Sequence, residues 1–161
     1  MYTASIIIRQ QPKITEYLKR ETDKLIEELV SRYGDMEFLF SEKGEYEKCL
    51  LAAVDKVRKG NLHPKPNVIA VWMTEEPMTE CSLDGISFDQ VELYSPEEWE
   101  KPCFGFSAMQ VCMAECCDFF LYYAEESNKE YEVLVHDMWR FRKMPLNLHY
   151  WIDPKYDHSE K

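Results

Sequence analysis

Four short runs in this chain are almost unbroken apolar sequence: Ser5-Ile6-Ile7-Ile8, Met36-Glu37-Phe38-Leu39-Phe40, Val68-Ile69-Ala70-Val71-Trp72 and Phe119-Phe120-Leu121-Tyr122-Tyr123. A strand with one wet face alternates apolar and polar residues. A strand covered on both faces does not. Runs of this kind therefore predict a sheet with helices on both sides, which is the setting of parallel strands joined by helical crossovers. Leu146-Asn147-Leu148 reads as a shorter fifth strand.

The segments between the runs carry helical spacing. Ile14, Leu18, Leu25 and Leu29 make one apolar stripe, widened by Tyr17 and Ile26, with Lys13, Lys19, Glu27 and Glu28 toward solvent. Pro12 is expected to open this helix over 13–32, and Gly34 to close it. Tyr46, Cys49, Leu50, Ala53, Val54 and Val57 anchor a second helix, stopped at Gly60-Asn61. Pro64 and Pro66 keep the next connector extended. Residues 107–116 and 128–142 read as two further helices. Residues 74–102 are irregular, broken by Pro77, Gly85, Pro96 and Pro102. They hold one short extra strand or edge piece at Val91–Tyr94 and a capped helix start at Ser95-Pro96. The expected fold is α/β: a single Rossmann-like three-layer domain over 1–149, with a mainly parallel five-stranded sheet in the order 3-2-1-4-5. An irregular acidic insert lies near 74–102, and residues 150–161 form a polar tail.

With 161 residues, the chain is long enough to bury a core without disulfides or metals. Its formal net charge of -11 argues against direct nucleic-acid binding and against an anionic membrane surface. No apolar run approaches the roughly 20 residues that span a bilayer. The opening residues have no basic leader, so a cytoplasmic location is expected. Six cysteines stand at 49, 81, 103, 112, 116 and 117. Their spacing lacks the paired pattern of a zinc site, so no metal site is expected, and buried thiols acting as small hydrophobes are. The charge is uneven: residues 74–132 hold 15 acids against Lys101 and Lys129. That stretch is either a solvated acidic face or a surface for a basic protein partner. The residues that would present it are Glu75, Glu76, Glu97, Glu98, Glu100, Glu125 and Glu126.

In such a fold, ligands meet the carboxyl ends of the strands near the point where strand order reverses. The loop after the first strand, Arg9-Gln10-Gln11-Pro12, has no glycine, so a dinucleotide fingerprint is absent. Arg9 there can meet a phosphate or pair with a local carboxylate. The loop after the second strand, Ser41-Glu42-Lys43-Gly44-Glu45, is the better candidate, with Ser41 as the helix cap and helix amides available to an anion. Glu42, Glu45 and Glu47 would repel a bare phosphate in the absence of a metal. Glu75 and Glu76 lie just past the third strand, and His149 past the fifth. No G-x-S-x-G elbow or hydrolase triad can be assembled.

Two stretches carry a family resemblance. Phe38-Leu39-Phe40-Ser41-Glu42-Lys43-Gly44-Glu45-Tyr46-Glu47 is similar to F-x-x-G-x-x-G-x-F-D, with the second glycine kept as Gly44. Met109 to Asp118 is similar to R-x-x-x-M-V-D-x-x-D, with Met113 and Asp118 kept and Glu115 for the first acid. These motifs, over about residues 3–148, resemble the SLOG superfamily and most nearly its YspA-like proteins of bacteria and phages. The resemblance implies a Rossmann-like fold and a nucleotide or nucleotide-derived ligand. The chain departs from the pattern where Ser41 replaces a glycine, Met109 replaces the arginine and Lys129-Glu130-Tyr131 replaces G-G-T. The T-G-H-R after strand one survives only as Arg9.

Two functions follow as expectations. The first is a degenerate SLOG-like protein binding a nucleotide or nucleotide-sugar at Arg9, Ser41, Gly44 and Glu45, with or without magnesium held at Glu45 or Glu47. The second is a non-enzymatic acidic adaptor or inhibitor, of the kind a phage encodes, that binds a basic protein. Trp99, Trp139 and Trp151 either line a homodimer contact or pack internally.

Overall fold

The alternation hidden in the apolar runs becomes visible in a computed structural model, which describes residues 1–97, 101–102, 105–123, 132, 136 and 143–149. The strands are β1 (Tyr2–Ile7), β2 (Met36–Phe40), β3 (Val68–Thr74), β4 (Ser82–Leu83), β5 (Ile86–Ser87), β6 (Gln90–Leu93), β7 (Phe119–Tyr122) and β8 (Met144–Asn147). The helices are α1 (Glu16–Tyr33), α2 (Glu45–Arg58) and α3 (Ala108–Cys116). Ala4, Ile6, Phe38, Phe40, Ala70, Trp72, Phe119 and Leu121 share one core with the buried faces of α1 and α2. Their neighbours Ile7, Leu39, Val71, Phe120 and Tyr122 share a second core with Met109, Met113 and Ala114 of α3. These four central strands are nearly unbroken apolar runs because each face supplies one core.

The main sheet is six-stranded in the order β6-β3-β2-β1-β7-β8, and all its pairings are parallel. The expected sheet had five strands. The sixth is the edge piece at 90–93, which pairs with β3 from Val71↔Gln90 to Thr74↔Leu93. Strand order reverses between β1 and β7, so the switch point lies between Ile7 and Tyr122. The irregular insert also holds a hairpin, β4–β5, closed by Asp84 and Gly85 with φ of 52° and 79°. Two positive φ values at the central positions are the mark of a type I′ turn, which Asp-Gly favours.

Several boundaries move. α1 starts at Glu16, with Thr15 as its cap: Leu18 N donates to Thr15 Oγ1 at 3.1 Å. A hydroxyl that satisfies a helix amide outweighs proline's preset φ, so Pro12 stays outside. α2 is capped at Gly44, not at Ser41, and without its own side-chain bond. Ser107 and Gln110 form a capping box at the start of α3. β8 begins two residues before the expected strand and includes Pro145, which an edge strand tolerates. Residues 95–97 are irregular, and the rest of the helix expected after Ser95 lies outside the described residues. The same holds for the helix at 128–142, apart from residues 132 and 136, and for the tail. No helix among the described residues is long and apolar enough to cross a membrane.

Two acids tie the amino-terminal end of the sheet. Asp118 accepts from Thr3 N at 2.9 Å, and its own N–H donates to Thr3 O at 2.8 Å, joining β1 to β7. Asp89 accepts from Ala70 N at 2.7 Å and from Arg58 of α2, joining β6 to β3 and the end of a helix.

Candidate functional site at the carboxyl ends of the strands

The loop after β1 and the start of α2 are built around one side chain, Gln11. α2 has no side-chain cap of its own, and Gln11 supplies one from the loop after β1: Tyr46 N donates to Gln11 Oε1 at 2.9 Å. The other end of the same amide, Nε2, donates to Glu47 Oε1 at 2.8 Å. Gly44 makes this possible. A Cβ there would lie 2.2 Å from Gln11 Nε2 and 2.5 Å from Glu47 Oε1. The open side of Gly44 is therefore taken by Gln11 and Glu47, where the sequence motif suggests close approach of a ligand. Glu47 is buried, and burial pushes its carboxyl above the usual range, with the Gln11 bond opposing the rise.

Arg9 stands at the switch point. Its guanidinium lies 5.1 Å from the centroid of Phe106, and Phe106 is buried. Gly105, with φ of 80°, passes directly beneath it: a Cβ there would come 2.7 Å from Arg9 Nη1. A flat cation over an aromatic face is held in orientation. Nothing in the sequence motif marks Gly105-Phe106 as part of the site. The only local hint is a glycine just before an aromatic residue and a capping box.

Ser41 does not cap α2. Its Oγ is buried with no hydrogen-bond partner, and so is Nε1 of Trp72. Ser41 directly follows Phe40, whose register partner on β3 is Trp72, so both orphaned groups sit at the same end of adjacent strands. Lys43 lies 5.4 Å above the Trp72 ring. Glu42 accepts from Gln110 Nε2 at 3.1 Å, which links the β2 loop to the start of α3.

Two buried polar pairs lie nearby, their tyrosine rings meeting edge-on with centroids 6.2 Å apart. Thr22 Oγ1 and Tyr46 OH are 3.0 Å apart, and Tyr123 OH is 3.3 Å from His149 Nδ1. Burial raises the Tyr46 phenol above its ordinary value, so it stays neutral.

Glu45 is separated from this group. It pairs with Lys48 at 2.8 Å and lines a groove of about 350 Å³ with Lys19, Asp23, Lys56 and Asp84, outside α1 and α2. Among the described residues, no three His, Cys, Asp or Glu side chains gather to hold a metal ion. With Glu45 paired to lysine and Glu47 buried against Gln11, the donors expected for magnesium do not form a magnesium site.

Of the seven acids expected to present a partner surface, three are among the described residues. Glu75 and Glu76 follow β3, and Glu97 lies beyond β6, all exposed at the carboxyl end of the sheet. Asp89 and Asp118 precede β6 and β7 at the opposite end and are used internally. Glu98, Glu100, Glu125 and Glu126 lie outside the described residues, as do Trp99, Trp139 and Trp151. The three described acids of the expected partner surface thus share the carboxyl end of the sheet, and Asp89 and Asp118 of the same acidic stretch lie apart from them. Among the cysteines, Cys117 is buried, donates to Ala114 O at 3.1 Å and has its pKa pushed up to about 11 by burial, but Cys116 is exposed and Cys112 half-buried. Those two depart from the expected buried thiols. Comparison with family models, curated proteins and solved structures gave no match.

Proposed function

We propose that the carboxyl ends of the strands bind a nucleotide or nucleotide-sugar, as a degenerate SLOG-like domain would. The observation that carries this reading is the pair of orphaned buried groups, Ser41 Oγ and Trp72 Nε1, at the carboxyl ends of β2 and β3. A buried polar atom without a partner costs about 1–3 kcal/mol, and a ligand that supplies the missing bonds recovers it. Trp72 Nε1 can only donate, and Ser41 Oγ can do both, so the complementary ligand presents acceptor oxygens or ring nitrogens. Arg9 offers its guanidinium to a phosphate from the Phe106 face. Gln11 ties the loop after β1 to the start of α2 beside them in sequence. Glu47 is covered and acts by positioning Gln11. No magnesium is required in this scheme, and no bond-breaking step is assigned.

The test is thermal unfolding of the purified chain against nucleoside mono- and diphosphates, ADP-ribose and related nucleotide-sugars. A ligand at 100 times its Kd adds about 2.7 kcal/mol of stability. For a chain of this length that is a rise of roughly 5–10 °C in Tm. The rise should saturate, fall in Ser41→Ala and vanish in Arg9→Ala while both variants keep a cooperative transition. A flat response of the wild-type chain to the whole panel would overturn the proposal.

A further inference from the structure

The irregular stretch before β6 folds into a fork. The β4–β5 hairpin is extended by one more bond, with Phe88 N donating to Cys81 O at 3.0 Å. Beyond it Asp89 N donates to Ala70 O at 2.9 Å, so the second arm turns away to join the main sheet as β6. Residues 79–82 on one arm and 87–91 on the other line a groove of about 570 Å³, within the range of roughly 300–1,000 Å³ of ligand-binding clefts. We infer that this groove and the outer edge of β6 receive an extended segment of a basic protein, added to the sheet as a further strand.

Backbone, pattern and charge support this occupant. β6 is the last strand of the sheet among the described residues and pairs on one side, with β3. An edge strand turns the N–H and C=O of alternate residues outward, where another chain can bond to them. Its side chains alternate as well. Val91, the register partner of Trp72, packs on the core shared with α1 and α2, and Leu93 on the same face is 54% exposed. Glu92 lies between them on the other face and is exposed. An added strand would meet apolar surface on one face and a carboxylate on the other, which calls for alternating apolar and basic residues. The surroundings carry the same sign. Residues 74–97 hold seven acids and no lysine or arginine. Glu80 lines the groove, and Arg58, whose guanidinium reaches Ser87 O, is held by Asp55 and Asp89. Like charges facing each other across strands are destabilising, so Glu92 disfavours the matching edge of a second copy and accepts a lysine or arginine. The groove is lined by the start of β6 and so lies apart from the carboxyl strand ends proposed for the nucleotide.

The experiment is fluorescence anisotropy of a labelled hexapeptide of alternating lysine and valine, titrated with the full chain at low ionic strength. The expected result is saturable binding of one peptide per chain, with added hydrogen-exchange protection within residues 90–93. N-methylation of one alternate set of the peptide's amides should weaken binding at least tenfold more than N-methylation of the other set, because an added strand bonds to β6 along one edge. Glu92→Lys should weaken binding at least tenfold and Glu92→Gln by less, whereas Glu16→Lys, on α1, should leave it unchanged. Far-UV circular dichroism of each variant separates loss of the site from loss of the fold. Absence of saturable binding, equal losses with the two methylated peptides, equal binding of a glutamate–valine hexapeptide, or unchanged binding in folded Glu92→Lys and Glu92→Gln would each overturn the inference.

Discussion

Replacing Gly44 with alanine tests whether Gln11 holds the loop after β1 to the start of α2. The new methyl carbon would sit 2.2 Å from Gln11 Nε2 and 2.5 Å from Glu47 Oε1, well inside contact distance. Gln11 is a flexible side chain and would move away. In moving it would give up both bonds, to Tyr46 N and to Glu47. Loss of a helix cap costs about 1 kcal/mol. A buried carboxyl left without its partner costs about 1–3 kcal/mol more. Gly44→Ala should therefore destabilise the chain by about 2–4 kcal/mol, read as a lower denaturation midpoint at constant m-value. Gln11→Ala loses the same bonds without a clash. In that background Gly44→Ala should cost less than about 1 kcal/mol, because the obstructing amide is gone and Glu47 can adjust. The double-mutant cycle should thus show coupling above about 1 kcal/mol. Additivity within about 0.5 kcal/mol, the behaviour of independent sites, would refute the argument.

Further outcomes follow from the same contacts. Glu47 has its pKa raised in the folded chain, so the native state holds its proton more tightly, and stability falls as pH rises from near its ordinary value of 4.5 through the folded value. Glu47→Gln, which mimics the protonated form, should gain stability relative to the wild type across that window; parallel pH–stability curves would contradict it. Asp89→Ala removes the acceptor shared by Ala70 N and Arg58, and chemical denaturation should show a loss of about 1–3 kcal/mol. Ser107→Ala breaks the capping box of α3 and should cost about 1 kcal/mol by the same assay, with little change at α1 or α2 in hydrogen exchange. Phe120→Ala empties a fully buried position in the α3-side core, and a loss of about 3–5 kcal/mol is expected in the denaturation midpoint.

Much of the architecture was legible in local pattern. Unbroken runs such as Phe38-Leu39-Phe40 imply two covered faces, because period-2 geometry sends neighbours to opposite sides whatever the rest of the fold does. Even the strand order is a consequence of short crossovers between parallel strands. The hairpin at Ser82–Ser87 was signalled by Asp84-Gly85, and it escaped notice because its strands are too short to show alternation. Pro12 and Ser41 misled as helix starts. Both are good cap-region residues, but each end has only one set of unsatisfied amides, and Thr15 and Gln11 reach them.

The site divides in the same way. By itself the sequence determined which residues stand at strand ends, Arg9 and Ser41 among them, because chain order and strand length set that position. What those residues do there was decided by neighbours 30 or more positions away. Gln11 reaches Tyr46 and Glu47, and Arg9 settles over Phe106 across Gly105. Glu45 and Glu47 are two residues apart on one helix, yet one pairs with lysine outside while the other is buried against Gln11. The Glu45–Lys48 pair is local, three residues apart on α2, but the long-range partners of Gln11 and Arg9 are fixed by the parallel sheet, which gathers the loops after successive strands at one edge, and no local signal along the chain carries that information.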